Sequence, residues 1–297
     1  MVAEKKDWHF RILLGDDRSE HAQAAVALLE ALPFAPGTDV TVFRAYAPTQ
    51  STDVTLMEEA LNQTCNRLKE KGFHAEAELL LGAPTEKFLR YAEETLPDLI
   101  LIGAKGLRSA TGILVGGVAQ QVVEYAPCPV MVVRAPFKGL RNVLLVTDGS
   151  ASSRQAAHFL GRLPLPPEAQ VQVLHVLPPL PIPMLLPGTP MLSAPILLPD
   201  SEEILALKKG EELSGKALVD ETIKSLREMG RPASGLLKRG DAASEIMHVV
   251  KEQGVDLVIT GSRGLNPIVS WMMGSVSRKL VHYSGCSVLV VRNLPPG

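Results

Sequence analysis

Two glycine-bearing phrases hold the residues best suited to chemistry. Gly261-Ser-Arg-Gly264 is followed, after nine residues, by Gly274-Ser275; Gly103-Ala-Lys-Gly106 is followed, after nine, by Gly116-Gly117. Each starts at the end of a short Val/Ile/Leu run and closes where a helical pattern begins. Glycine turns leading into a helix N-terminus present backbone N–H groups and the positive end of the helix dipole, which suits a phosphate chain. Asp17 and Asp148 follow other apolar runs, Thr147 standing beside Asp148 in Val146-Thr-Asp-Gly-Ser150. A carboxylate there can accept ribose hydroxyls or, at Asp148, help hold a divalent cation near phosphates. Ala45 and Val176 close the next runs and can offer backbone groups to an adenine edge.

The elements that must position these residues come in two copies. Arg11–Ser19 aligns with Asn142–Ser150 at an offset of 131 (148 − 17), which also relates Val40–Ala45 to Val171–Val176. Gly103 aligns with Gly261 at 158 (261 − 103), as do the closing runs Cys128–Arg134 and Cys286–Arg292. The second copy therefore carries 27 extra residues (158 − 131), within a proline-rich apolar stretch near residues 177–200. Each copy reads β-α-β-α-β-α-β-α-β, with runs such as Leu99–Ile102 fit for burial on both faces of a parallel sheet. Ser19 and Ser150 are natural N-caps for the first helix of each copy, and Pro33 and Pro164 stop those helices. The expected fold is α/β, two tandem doubly wound five-stranded parallel sheets, with domains at 1–135 and 140–297. In such sheets ligands bind beyond the carboxyl ends of the strands, where the strand order reverses. The aspartate and the glycine loop of each copy should therefore meet there. The closing strands Val130–Val133 and Val288–Val291 would be apolar sheet edges. Pairing them with each other would make the tandem an internal pseudo-dimer, and pairing with another chain is the alternative, a further homodimer.

Composition narrows the function. The 297 residues are 46% hydrophobic, 21% charged and 4% aromatic, with a formal net charge of −2. That balance describes a globular protein and gives neither the basic surface nor the stacking platforms that nucleic acid asks for. Met1–Asp7 is charged, without an apolar signal core, and the longest apolar stretch, Leu177–Pro199, is broken by prolines. A cytoplasmic protein with no membrane span is expected. The three cysteines fit neither a zinc spacing nor a secreted disulfide framework. There is no G-x-x-x-x-G-K-[ST] phosphate loop and no G-x-S-x-G elbow, and no general base or activated nucleophile stands out.

The pattern G-x-x-G-x9-G-S, with Val-Thr-Asp-Gly-Ser at the first strand and Cys-Pro-Val-Met-Val-Val at the last, resembles the universal stress protein family. The resemblance spans about Phe10–Arg134 and again Arg141–Arg292. It implies that the second copy binds ATP, with Mg2+ or Mn2+ accompanying the nucleotide. Gly261 and Gly264 would let the backbone approach the phosphates, while Gly274 and Ser275 hold them at a helix N-terminus. Asp148 would hold ribose or cation, and Val176 would meet adenine. The first copy has Gly117 where the family pattern has Ser or Thr, so the hydroxyl is lost and the N–H kept. One neutral hydrogen bond is worth about 0.5–1.5 kcal/mol, so Asp17, Ala45, Gly103, Gly106, Gly116 and Gly117 form the weaker site.

The same residues have plainer readings. The aspartates also suit turns beside the N-cap serines, and glycine turns after strands are common. The alternative function is a non-nucleotide interaction module that uses the proline-rich insertion and the paired edge strands to dock a protein. The insertion reads equally as a lid, a docking strip or a loop packed on its own surface, and the segment 205–229 after it reads as a long solvated helix.

Overall fold

The computed structural model describes residues 9–47, 53–105, 115–180, 202–264 and 273–292. Gly106 and residues 181–200 of the insertion lie outside the described residues.

The first half runs β1 (Arg11–Gly15), α1 (Glu20–Ala31), β2 (Asp39–Tyr46), α2 (Val54–Glu70), β3 (His74–Leu81), α3 (Pro84–Thr95), β4 (Leu99–Gly103), α4 (Gly117–Tyr125) and β5 (Val130–Val133). The second runs β6 (Asn142–Val146), α5 (Ala151–Arg162), β7 (Gln170–Leu177), α6 (Glu202–Glu228), β8 (Ala233–Arg239), α7 (Ala242–Gln253), β9 (Leu257–Gly261), α8 (Ser275–Tyr283) and β10 (Ser287–Val291). All ten strands form one sheet in the order β3-β2-β1-β4-β5-β10-β9-β6-β7-β8. Each half is a parallel five-stranded sheet, and the halves meet where β5 and β10 pair antiparallel, Met131 opposite Leu289. The apolar edges thus cover each other within one chain, the first of the two pairings their composition allowed. Val130–Val133 and Val288–Val291 are buried, and each such side chain contributes about 1.5–3 kcal/mol relative to exposure.

Two cores sandwich the sheet. One lies under α1, α2, α5 and α6 and includes Ile12, Leu29, Leu145 and Phe159; the other lies under α3, α4, α7 and α8 and includes Phe88, Val122, Ile246 and Leu280. The central strands β4 and β9 are buried at every residue, which is why they read as unbroken apolar runs. The serine caps form as expected: Ser19 Oγ accepts from the Ala22 N–H at 3.2 Å, and Ser150 Oγ from the Ser153 N–H at 3.1 Å. The long helix α6 is less solvated than its sequence suggests. It buries Ile204, Val219 and Leu226, and Glu211 bonds Arg239, whose guanidinium also donates to the Pro178 carbonyl at 3.0 Å. Among the described residues no helix is long and apolar enough to cross a membrane. Cys65, Cys128 and Cys286 are buried and free, and burial pushes the Cys128 thiol up to about 12.

Candidate functional site

Because β6 sits between β7 and β9, its loop leads to α5 on one face while the loop after β9 leads to α8 on the other. A cleft of about 310 Å³ opens between them at the carboxyl ends. It is lined by Thr147, Asp148, Val176, Gly261, Gly264, Gly274 and Ser275, so all seven residues singled out in the second copy come together there.

The loop after β9 is pinned to the start of α5. The Arg263 N–H donates to Ser152 Oγ at 3.3 Å, and Ser150 Oγ donates to the Arg263 carbonyl at 3.3 Å. Gly261 serves this docking. A Cβ there would stand 2.6 Å from the Ser152 carbonyl carbon and 2.7 Å from its oxygen. Gly264 is exposed, and its Cβ would lie 2.9 Å from Asp148 Oδ2, so aspartate and loop are neighbours. Asp148 Oδ1 meanwhile accepts from the Ser150 N–H at 3.0 Å, the turn role that its sequence also allowed.

Gly274 is the N-cap of α8, so the cap residue itself has no side chain to close the first turn, and Ser275 is the first helical residue. Gly274 N–H bonds the Ser262 carbonyl at 2.8 Å, and Ser277 Oγ bonds the Gly261 carbonyl at 2.7 Å. The first-turn amides of a helix carry its positive dipole end, here toward the cleft. Arg263 lines the same wall.

At the other end, β7 outruns β6. Their ladder stops at Val146 opposite Leu174, whose carbonyl takes the Thr147 N–H at 2.9 Å, while β7 stays paired with β8 as far as Leu177. Backbone groups alternate sides along a strand. Gln170 bonds toward β6 through the Arg141 carbonyl, and Leu177 toward β8 through the Gly240 N–H. The alternation aims the N–H and C=O of Val176 at the β6 side, past the end of that ladder. His175, which the sequence did not single out as a site residue, also lines the cleft, its Nδ1–H donating to the Thr147 carbonyl at 2.8 Å. Sequence reasoning passed over Arg263 too, although it stood inside the quoted glycine phrase.

The first half is built differently at the matching positions. Asp16 stands where the second half has Thr147; it is 1% exposed, taking the Thr64 hydroxyl at 2.6 Å and the Arg18 N–H at 2.8 Å. Phe88 stands where Ile246 lines the cleft, its Cε2 3.2 Å from where a Gly15 Cβ would be and its ring edge-on to Phe43. Ala22, Ile102 and Ala119 replace Ser153, Thr260 and Ser277. The difference between the copies is therefore wider than the Gly117 hydroxyl. Asp17 accepts from the Ser19 N–H at 3.0 Å, Gly103 packs against the His21–Ala22 backbone, Gly116 caps α4 and Gly117 begins it. Ala45 follows the end of the β1·β2 ladder as Val176 does in its half.

His21 occupies the place of Ser152. Its Nδ1 accepts from the Ala135 N–H at 2.9 Å, and burial, then the Lys105 charge, pushes its pKa down. The folded chain therefore binds fewer protons than the unfolded one just below the ordinary imidazole value of about 6.5. This contribution is full above that pH and is lost as the pH falls through the folded value. The melting-temperature advantage of wild type over His21→Gln is expected to shrink from pH 7 toward pH 5, as thermal melts at several pH values will read.

A family model described as the universal stress protein family matches residues 9–134 and again 139–292. The chain belongs to that family. A universal stress protein of Thermus aquaticus is 35% identical over 133 residues, covering 41% of this chain and 97% of the relative. Universal stress protein YxiE of Bacillus subtilis is 29% identical over 151 residues, covering 51% of this chain and 98% of its own. The fold is matched over both halves by a universal stress protein from Archaeoglobus fulgidus, TM-score 0.63 at 18% identity, covering 96% of this chain and 97% of that one. Such an identity shows the shared fold, and the tandem universal stress protein arrangement is thereby common to both.

Proposed function

We propose that the second half binds an adenine nucleotide, ATP with Mg2+ or Mn2+, in the cleft between β6 and β9, as part of a stress or signalling response. The observation that carries this reading is the convergence of three features on one cleft: the outward-facing backbone of Val176, the carboxylate of Asp148, and the glycine-capped first turn of α8 beside Arg263. The cleft is of a size for a small ligand. Adenine lies against Val146 and Ile246, accepting at N1 from the Val176 N–H and donating from N6 to its carbonyl. Asp148 takes the ribose hydroxyls, and the phosphates reach Gly264, Gly274, Ser275 and the α8 amides. Among the described residues no three His, Cys, Asp or Glu side chains gather to hold a metal ion. Of the described residues lining the cleft, Asp148 supplies the carboxylate that a cation accompanying the nucleotide would meet, alongside phosphate oxygens and water.

Guanine presents the opposite polarity to Val176, a donor at N1 and an acceptor at O6. Each buried polar group left unpaired costs about 1–3 kcal/mol. MgGTP is therefore expected to bind at least about tenfold more weakly than MgATP when each is titrated calorimetrically into the full chain. Equal affinities would overturn the base assignment. In the first half, Phe88 and the buried Asp16 oppose the same arrangement, so its loop is assigned a supporting role.

A further inference from the structure

We infer that the first half completes the phosphate end of this cleft, and that Arg134 is a positioning residue for α8. The inference rests on the nucleotide reading above. Arg134 directly follows β5 of the first half, yet its guanidinium reaches the last turn of α8 in the second. Its Nη2 donates to the Val281 carbonyl at 2.7 Å and lies 3.4 Å from that of His282, while its backbone N–H donates to Ser287 Oγ at 3.2 Å. A cation on the final carbonyls satisfies groups the helix cannot satisfy itself and suits the negative end of its dipole.

The helix is short and stiff, nine residues rising about 1.5 Å each, so pinning one end sets the other. Its first turn faces the cleft and is tied to the loop of its own half through the Gly274 N–H and Ser277 Oγ, so the far end is where the first half can act on it. A second tie leads to the first half as well: Arg278, in the middle of α8, bonds Glu124 of α4 at 3.2 Å. The clamp is reciprocal, since Arg292 bonds the Glu124 and Ala126 carbonyls at the end of α4. Only α8, however, begins with Ser275 at the cleft. The two halves are thus unequal partners, one holding the helix on which the other's ligand would rest.

The test is a ratio. Arg134→Met removes the guanidinium and keeps an apolar stem; Arg134→Lys keeps the charge with a simpler donor. Calorimetry on the full chain reads MgATP directly and adenosine by displacement, well below the melting temperature. Loss of the clamp is expected to weaken MgATP about five- to tenfold, within the range of helix-terminus charge effects. Adenosine has no phosphate to meet α8 and should stay within about twofold, with Arg134→Lys intermediate. Should Arg134→Met not fold, Glu124→Gln, which loosens only the tie to Arg278, is expected to move the ratio the same way by about twofold. A change of both ligands by one factor, or of neither, would leave Arg134 a packing residue and overturn the inference. Wild-type protein that binds neither ligand would instead overturn the nucleotide reading on which it rests.

Discussion

Gly261→Ala is expected to destabilise the second half by about 3 kcal/mol, the upper range for forcing an extra group into a packed interior. The added Cβ would lie 2.6 Å from the Ser152 carbonyl carbon, 2.7 Å from its oxygen and 2.8 Å from its Oγ. Two of those atoms are backbone in the first turn of α5, which cannot turn aside as a side chain can. The helix would have to retreat from β9 and loosen the bonds from Ser150 and Ser152 to Arg263. Chemical denaturation should show the lower midpoint with no ligand present. Gly264→Ala makes the contrast, since among the described residues its Cβ would meet only Asp148 Oδ2, at 2.9 Å. That carboxylate can rotate away at little cost in stability, but it then leaves its place in the cleft. Gly264→Ala should therefore melt nearly as wild type does and bind nucleotide less well.

Asp148→Ala is expected to weaken MgATP binding by about ten- to a hundredfold, the scale of losing a hydrogen bond to a charged group. Some stability goes too, because Oδ1 also accepts from the Ser150 N–H at the start of α5. The internal repeat supplies the control. Asp17 accepts from the Ser19 N–H at the same 3.0 Å, so Asp17→Ala should lose similar stability while nucleotide affinity holds. Melting curves and calorimetry on both variants separate the turn role from the binding role. If both lower the affinity equally, Asp148 acts only through the fold.

The architecture was legible because its determinants are local or repeated. Unbroken runs such as Leu99–Gly103 are buried on both faces, and two apolar edges of like composition were suited to cover each other. The cleft residues were legible for the same reason: they lie at or just past strand ends or at a helix start, and the fold places all such ends on one side of the sheet. Other features depend on contacts across many residues. The part of Gly261 in seating α5 needs Ser152, more than a hundred positions earlier, and nothing local in the glycine phrase separates that from approach to a phosphate. The Phe88 ring could be aligned with Ile246, but its meaning appears only once Ile246 is seen in the cleft wall. Arg134 and Arg292 looked like mere strand ends, since each meets its partner carbonyls in the other half.

One measurement bears most directly on the unequal tandem: the stoichiometry of MgATP binding to the full chain by calorimetry. One nucleotide per chain is expected, lost in Asp148→Ala and kept in Asp17→Ala. Two equivalent sites per chain, or none up to millimolar ATP, would contradict a single nucleotide cleft in the second half.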